Sequence, residues 1–399
     1  MDGPAAEGAG ASAANAFPMA QLKILHMADV HLGGSGPAFG ARVGEHQRRI
    51  EAAFVRCMDL ALSQQVVAVC IVGDLFDSPR PSERTIQVAL RELARLAGAS
   101  PPIPCFLMPG NHDCLDKACV YHRPELQMEG LRVFRKAEPE SFRLEDGSLA
   151  VHGNPQPCGV TRHEPMKGLH PDPSARVNIA LAHGGILLPG ITEEETALLT
   201  RDEIAGCGMD YVALGHWHDP TDYTCEGVVA RFCGSPEIVS IGQKQAGGAL
   251  LVSLGPAGVS TSREPTGALR YDSVTLDPEV HPGEEAIEEA VSALTDDNLM
   301  LDVTISGFAP EGFTCDMARL QEHLESGFFR LRLRDDTVPP AEELASGGAT
   351  RRMIAPKAVG ILRERMELAR QAGDADAERI ARRALQLTVA LFEGREVLQ

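Results

Sequence analysis

The chain has 399 residues, 44% of them apolar, and a formal net charge of −19. That length suggests two or three domains with ample core, and the negative balance speaks against a polyanion held by the overall field. The opening MDGPAAEGAGASAANAFP has no basic n-region or apolar run, and no later stretch approaches 18 apolar residues, so no signal peptide, transit peptide or membrane span is expected.

Residues 1–21, rich in Ala and Gly, read as a disordered N-terminus, with Met19 as an alternative start. The first strand runs from Leu22 to Ala28 and gives way to DVHLGG. GEHQRRIEAAFVRCMDLALSQQ follows, with Ile50, Phe54, Met58 and Leu62 on a helical period and no internal Pro or Gly. VVAVCIV is an unbroken apolar run that stops at Gly73, as a strand buried on both faces does. Pro79, Pro81 and Ser82 open a second helix over about Glu83–Leu96, and PPIP returns to a third strand and the loop GNHD. This β-α-β-α-β order predicts a right-handed parallel arrangement.

Residues 131–176 are choppier and include the Pro-rich NPQPCGVTRHEP, a plausible substrate-facing insertion. A strand ending at His183, a short helix after Thr192 and a strand ending at His216 come next. VVARFCGSP, GGALLVSL and LRYDSVTL are expected as antiparallel strands of a second sheet, closing the first domain (22–277). Residues 278–340 alternate helix and strand as a small α/β cap, and 341–354 form a flexible linker. Residues 355–399 form a helical, partner-binding segment of two helices, about Pro356–Gln371 and Ala375–Phe392. On the second, Ile380, Ala384, Leu387 and Leu391 make one apolar stripe. From Arg351 onward there are 10 Lys/Arg against 7 Asp/Glu, so the tail reverses the sign of the charge.

Ten cysteines lie mostly inside apolar runs (Cys57, Cys70, Cys105), with no C-x-x-C pair. They read as buried free thiols of a reducing cytoplasm, with Cys114 and Cys119 as bystanders beside the site.

Five apolar strands end on Asp, Asn or His: Asp29 and His31; Asp74; Asn111, His112 and Asp113; His183; His216 and His218. Residues i and i+2 at an extended strand end point the same way, so Asp29/His31 and His216/His218 can each serve one ion. Asp74 can bridge two cations, giving two four-ligand shells of mixed nitrogen and oxygen. That composition suits manganese, iron or zinc rather than calcium, and a pair of such ions suits phosphoryl transfer. His112 is not needed as a ligand, and Asp113 beside it is placed to orient its ring. Protonated, His112 would stabilise the transition-state charge or protonate a leaving oxygen. Asp77 reads equally as a surface or capping carboxylate and as a substrate-side group, and His26, inside the first strand, as a satisfied core histidine.

The ordered set D-x-H, G-D, G-N-H-D, H, G-H-x-H resembles the calcineurin-like metallophosphoesterase superfamily over residues 22–240. Within it, ILHMADVHLGG, GDLFDSPRPS, PGNHD, DYVALGHWH, FCGSP and LDVTISG are most similar to the SbcD-type DNA double-strand-break repair nucleases. The resemblance implies a two-sheet αββα-type core carrying the cap and the helical pair. It implies a manganese-dependent DNA exo/endonuclease with two divalent ions. One would be held by Asp29, His31, Asp74 and His218, the other by Asp74, Asn111, His183 and His216. The implied partners are double- and single-stranded DNA ends, an SbcC-type coiled-coil ATPase and, in a homodimer, a second copy. Asp219 stands where relatives commonly carry a basic residue. The competing readings are a small-molecule phosphoesterase acting on nucleotides or phospholipid precursors, and a non-catalytic scaffold of the same fold.

Overall fold

The computed structural model describes residues 21–34, 36–160, 162–192, 195–338 and 355–392. The expected disordered start and the 341–354 linker lie outside them. In chain order the first elements are β1 (Leu22–Met27), α1 (Val43–Ser63), β2 (Ala68–Val72), α2 (Glu83–Ala97), β3 (Cys105–Met108), β4 (Leu131–Val133), β5 (Glu140–Arg143), β6 (Leu149–Gly153) and β7 (Val177–His183). Then come β8 (Gly185–Ile186), β9 (Leu198–Leu199), α3 (Arg201–Gly206), β10 (Tyr211–Gly215), β11 (Thr221–Asp222), β12 (Val229–Phe232), β13 (Gly248–Gly255) and β14 (Gly258–Pro265). The chain finishes with β15 (Arg270–Leu276), α4 (Glu284–Ser292), β16 (Asp296–Phe308), α5 (Met317–Leu324), β17 (Phe328–Val338), α6 (Ala355–Ala372) and α7 (Ala375–Phe392).

Two compact units divide the chain. The first holds Gly44–Val239 and Gln245–Gly267 with the residues up to Ser35; the second holds Gly36–Val43, Ser240–Lys244 and Ala268 onward. The first unit is built on two six-stranded sheets, in the orders β14-β13-β1-β2-β3-β4 and β11-β12-β10-β7-β6-β5. Side-chain alternation explains the layering. Leu25, Met27, Val69 and Ile71 face the core under α1 and α2, whereas Ile24, Ala68, Cys70 and Val72 join Ile179, Leu181, Tyr211 and Ala213 between the sheets. Ala180, Ala182, Val212 and Leu214 turn to the outer face, where Ile204 of α3 packs. The result is the expected α/β fold with helices outside two stacked sheets.

Local signals set the helix starts. The Ser82 side chain accepts from Thr85 N at 3.2 Å and opens α2. The short helix expected after Thr192 is α3, begun at Arg201 by a capping box of Thr200 and Glu203.

Two of the three strands expected in the second sheet lie elsewhere. GGALLVSL is β13, antiparallel to β1 in the first sheet. Its residues are buried on both faces from Gly248 to Val252, as an inner strand requires. LRYDSVTL is β15, parallel to β16 in the three-stranded sheet β15-β16-β17 of the second unit. There α4 and α5 cover one face, burying Ile287, Val291, Leu320 and Leu324 against Leu301, Val303, Ile305, Leu331 and Leu333. α7 packs its Leu385 against Val359 of α6, and Gln386 Nε2 donates to Ala309 O at 3.1 Å. Ile380 and Leu391, from the stripe read in the sequence, are 66% and 52% exposed; the buried face is one residue on, at Ala381 and Leu385.

The cysteines differ in one pair. Cys114 and Cys158 form a disulfide, whereas the other eight are free. The pairing follows from a backbone bridge: Leu115 N donates to Gln156 O and Cys158 N to Leu115 O, which sets the two side chains together. Among the described residues no helix is long and apolar enough to cross a membrane.

Candidate metal centre

The loops after β1 and β2 run side by side, since Asp29 N donates to Gly73 O at 3.1 Å and His31 N to Asp74 O at 2.9 Å. Asp29, His31, Asp74 and His216 all have positive φ, and they are four of the six described non-glycine residues that do. Such backbone costs on the order of 1–3 kcal/mol per residue and persists where the surroundings over-determine it. Here the surroundings are the carboxylates themselves. Both oxygens of buried Asp29 accept from His216 N at 3.0 Å, and Asp74 Oδ1 accepts from His112 N at 2.9 Å. The approach explains Gly110, where a Cβ would stand 2.3 Å from Asp74 Oδ1.

His183 and His31 each have one ring nitrogen committed. His183 Nδ1 donates to Val72 O at 2.9 Å, which leaves Nε2 2.8 Å from Asn111 Oδ1 and 3.3 Å from Asp74 Oδ2. His31 Nδ1 donates to Asp77 Oδ1 at 2.9 Å, which leaves Nε2 3.7 Å from Asp74 Oδ2 and 3.2 Å from His218 Nε2. His216 Nδ1 is 3.1 Å from Asn111 Oδ1. Trp217, between the last two histidines, stacks on Phe232 with ring centres 4.7 Å apart and pins their loop.

Burial pushes Asp29 up to about 6, and burial with the neighbouring histidines takes His216 down to about 4 and His218 down to about 3. Burial also works against the charge of His183, but Asp74 and Asp29 outweigh it and raise the ring to about 10. Buried carboxylates with imidazole nitrogens and an amide oxygen turned toward them are a donor set that a cation completes. Three groups have atoms all within 4.8 Å of one another: Asp29/His31/His218, His31/Asp74/His112 and Asp29/Asp74/His183. The donors therefore fit divalent metal.

His112 and Asp113 part company. Asp113 does not reach the His112 ring. It is buried and accepts from Gly110 N at 2.6 Å, Phe76 N at 3.1 Å, Asp74 N at 3.3 Å and the Tyr121 hydroxyl, so it shapes the loop backbone. Asp77 takes the orienting place, 3.4 Å from His112 Nδ1. The hydrogen bond to Asp77 is the main reason the half-exposed His112 is raised to about 9.

Residues 22–220, which carry all these loops, match the family model of the calcineurin-like phosphoesterases. The chain belongs to that family. As a calcineurin-like phosphoesterase it is a hydrolase of a family that binds divalent metal ions, and its candidate His/Asp sites agree. Its relatives include three proteins called DNA double-strand break repair protein Mre11. That of Sulfolobus acidocaldarius is 26% identical over 75% of this chain and 79% of its own length. That of Sulfurisphaera tokodaii is 28% identical over 55% of each, and that of Methanococcus maripaludis is 34% identical over 56% of this chain and 59% of its own. The chain spans little more than half the length of the latter two relatives.

One residue of this phosphoesterase site has no forewarning in the sequence. Glu195 Oε2 lies 3.3 Å from His216 Nε2. It belongs to no motif and follows no apolar strand, in the acidic run after Thr192 where the sequence predicts a short helix.

Proposed function

We infer that this chain is a two-metal phosphodiesterase that cleaves DNA at ends, as an exo- and endonuclease in double-strand-break repair, together with an SbcC-type coiled-coil ATPase. The observation that carries the reading is that donors from five strand ends lie together: His31 Nε2 and His183 Nε2 face Asp74 Oδ2 at 3.7 and 3.3 Å, His218 faces His31, and Asn111 Oδ1 lies near both His183 and His216. Asp29, His31, Asp74 and His218 would hold one cation, and Asp74, Asn111, His183 and His216 the other. Manganese is the proposed metal. Two divalent ions so held would lower the pKa of a water and stabilise the attacking and leaving oxygens of an in-line displacement.

The chain's own residues supply the rest. Val72 O and Asp77 fix the rings of His183 and His31, so that their Nε2 atoms would already be aimed at the cations. His112, exposed on one side and held by Asp77, whose hydrogen bond favours the protonated ring, is placed to give a proton to the leaving oxygen. The names of the relatives support DNA as substrate, and the exposed Ile380 and Leu391 on α7 support a coiled-coil partner docked by its apolar face. A small-molecule phosphoesterase would need neither.

The test is manganese-dependent hydrolysis of linear duplex, single-stranded and hairpin DNA, beside a panel of nucleotides, with and without the ATPase. Cleavage of DNA with little nucleotide turnover is expected. Turnover confined to nucleotides would replace the nuclease reading, and no turnover of either with two ions bound would leave a scaffold.

A further inference from the structure

Glu195 stands between β8 and β9, and the backbone makes a seat for it. Gly185 N donates to Ala197 O at 3.0 Å, and Gly184 N donates to Gly215 O at 3.1 Å. These bonds draw the segments after His183, before His216 and around Glu195 to one place. A Cβ on Gly185 would lie 1.8 Å from Glu195 Oε2, so only glycine there lets the carboxylate reach the ring of His216. Oε2 itself is buried and makes no hydrogen bond among the described residues, although His216 Nε2 is 3.3 Å away.

His216 needs a partner at that nitrogen. Its backbone is held, since N donates to both oxygens of Asp29, but its ring still turns about the side-chain bonds. Nδ1 faces Asn111 Oδ1 at 3.1 Å, among the donors. A ligating imidazole offers its lone pair on one nitrogen and carries its proton on the other, and an acceptor at the second nitrogen fixes both tautomer and orientation. His183 has Val72 O for this and His31 has Asp77. On the far side of His216 the acceptor is Glu195.

We propose that Glu195 is the positioning residue of His216: it accepts the Nε2 proton and so aims Nδ1 at the cation shared with Asn111 and His183. The inference rests on the two-cation reading above. It assigns Glu195 an acceptor's role, so the neutral amide should do the same work through its oxygen.

The experiment is calorimetric titration of the metal-free full chain with Mn2+, for wild type, Glu195→Ala and Glu195→Gln, with the thermal midpoint of each metal-free protein measured alongside. Wild type should bind two ions. Glu195→Ala should keep the metal-free midpoint and bind one of the two ions roughly 10–100-fold more weakly. Glu195→Gln should stay close to wild type. Wild-type affinity at both sites in Glu195→Ala would overturn the proposal. So would equal loss in both variants, which would make the charge the cause, or a fall in the metal-free midpoint of Glu195→Ala, which would make the role structural. If wild type itself binds fewer than two ions, the two-cation reading falls, and the inference falls with it.

Discussion

Nε2 of His31 and Nε2 of His218 face each other at 3.2 Å. His31 Nδ1 donates to Asp77 Oδ1 at 2.9 Å, which leaves its Nε2 to face His218. His218, held down to about 3 chiefly by burial and then by His31, stays neutral. At most one proton can lie between the two nitrogens, whereas a cation satisfies both and Asp29 beside them. Mn2+ should therefore stabilise the fold by mass action, by about 2.7 kcal/mol at a free concentration 100 times the dissociation constant. Thermal melts in EDTA and in graded Mn2+ would measure it, and a midpoint that does not move over the millimolar range would refute metal binding here.

Asp74→Asn keeps the shape of a buried side chain and can still accept the His112 N–H. It removes the one charge that both proposed shells share. Mn2+ stoichiometry should fall from two toward none, and nearly all hydrolysis should disappear, with the circular dichroism of the wild type retained. Two ions bound at near-normal turnover would dismiss the bridging role.

His112→Ala separates chemistry from metal binding. The ring is 45% exposed and pairs with Asp77, and although it comes within 4.8 Å of His31 and Asp74 it belongs to neither proposed shell, so its removal should leave both ions in place. The loss of one positioned donor should cost about 2.7–4 kcal/mol of transition-state stabilisation, or 10²–10³-fold in turnover. A collapse of Mn2+ affinity instead would make His112 a ligand.

The parts of this molecule that could be read from the sequence are those whose signal is local. Asp29, Asp74, Asn111 and His216 each follow a buried strand within three residues and His183 ends one, so strand and ligand are read together. Asp77 and Glu195 could not be ranked, because what defines them is the ring each meets across the fold, 46 residues away for Asp77 and His31. Cys114 and Cys158 are 44 residues apart and are brought together by the isolated bridge of Leu115 with Pro157. β15 has a half-buried pattern that any edge strand could show, with nothing to say which sheet it joins. On α7 the buried face includes Gln386, 2% exposed and bonded to Ala309 O, so hydropathy alone draws the stripe on the wrong side.

The core histidine makes a prediction about pH. His26 is fully buried, with Nδ1 2.9 Å from the Tyr211 hydroxyl and Nε2 3.2 Å from Leu214 O, as a neutral ring accepting one bond and donating the other. Burial pushes it from 6.5 down to about 3. The unfolded chain binds this proton below 6.5 and the folded chain does not, so the contribution is whole above 6.5 and is lost as pH falls toward 3. Between about pH 7.5 and pH 5 the wild type should lose roughly 2 kcal/mol more than His26→Gln, at about 1.4 kcal/mol per unit. Urea unfolding in EDTA at the two pH values would test it. Equal losses would mean that the ring takes up its proton without unfolding.

The tail can be divided by burial. Leu385 on α7 is fully buried and packs on Val359 of α6, so Leu385→Ala should cost roughly 2–5 kcal/mol in the stability of the helical pair. Ile380 and Leu391 are exposed on the same helix and contribute little to that packing. Large apolar side chains left in water on one helix suit a groove on a partner, and such interfaces depend on a few apolar anchors. Ile380→Ser with Leu391→Ser should therefore leave the thermal midpoint and the manganese-dependent activity on short single strands unchanged, while co-purification with the SbcC-type ATPase fails. Leu385→Ala should do the reverse, lowering the midpoint of the tail without touching the exposed face. If the double serine variant melts early and loses activity, those side chains belong to this protein's own core. If it still co-purifies with the ATPase, the partner docks somewhere else.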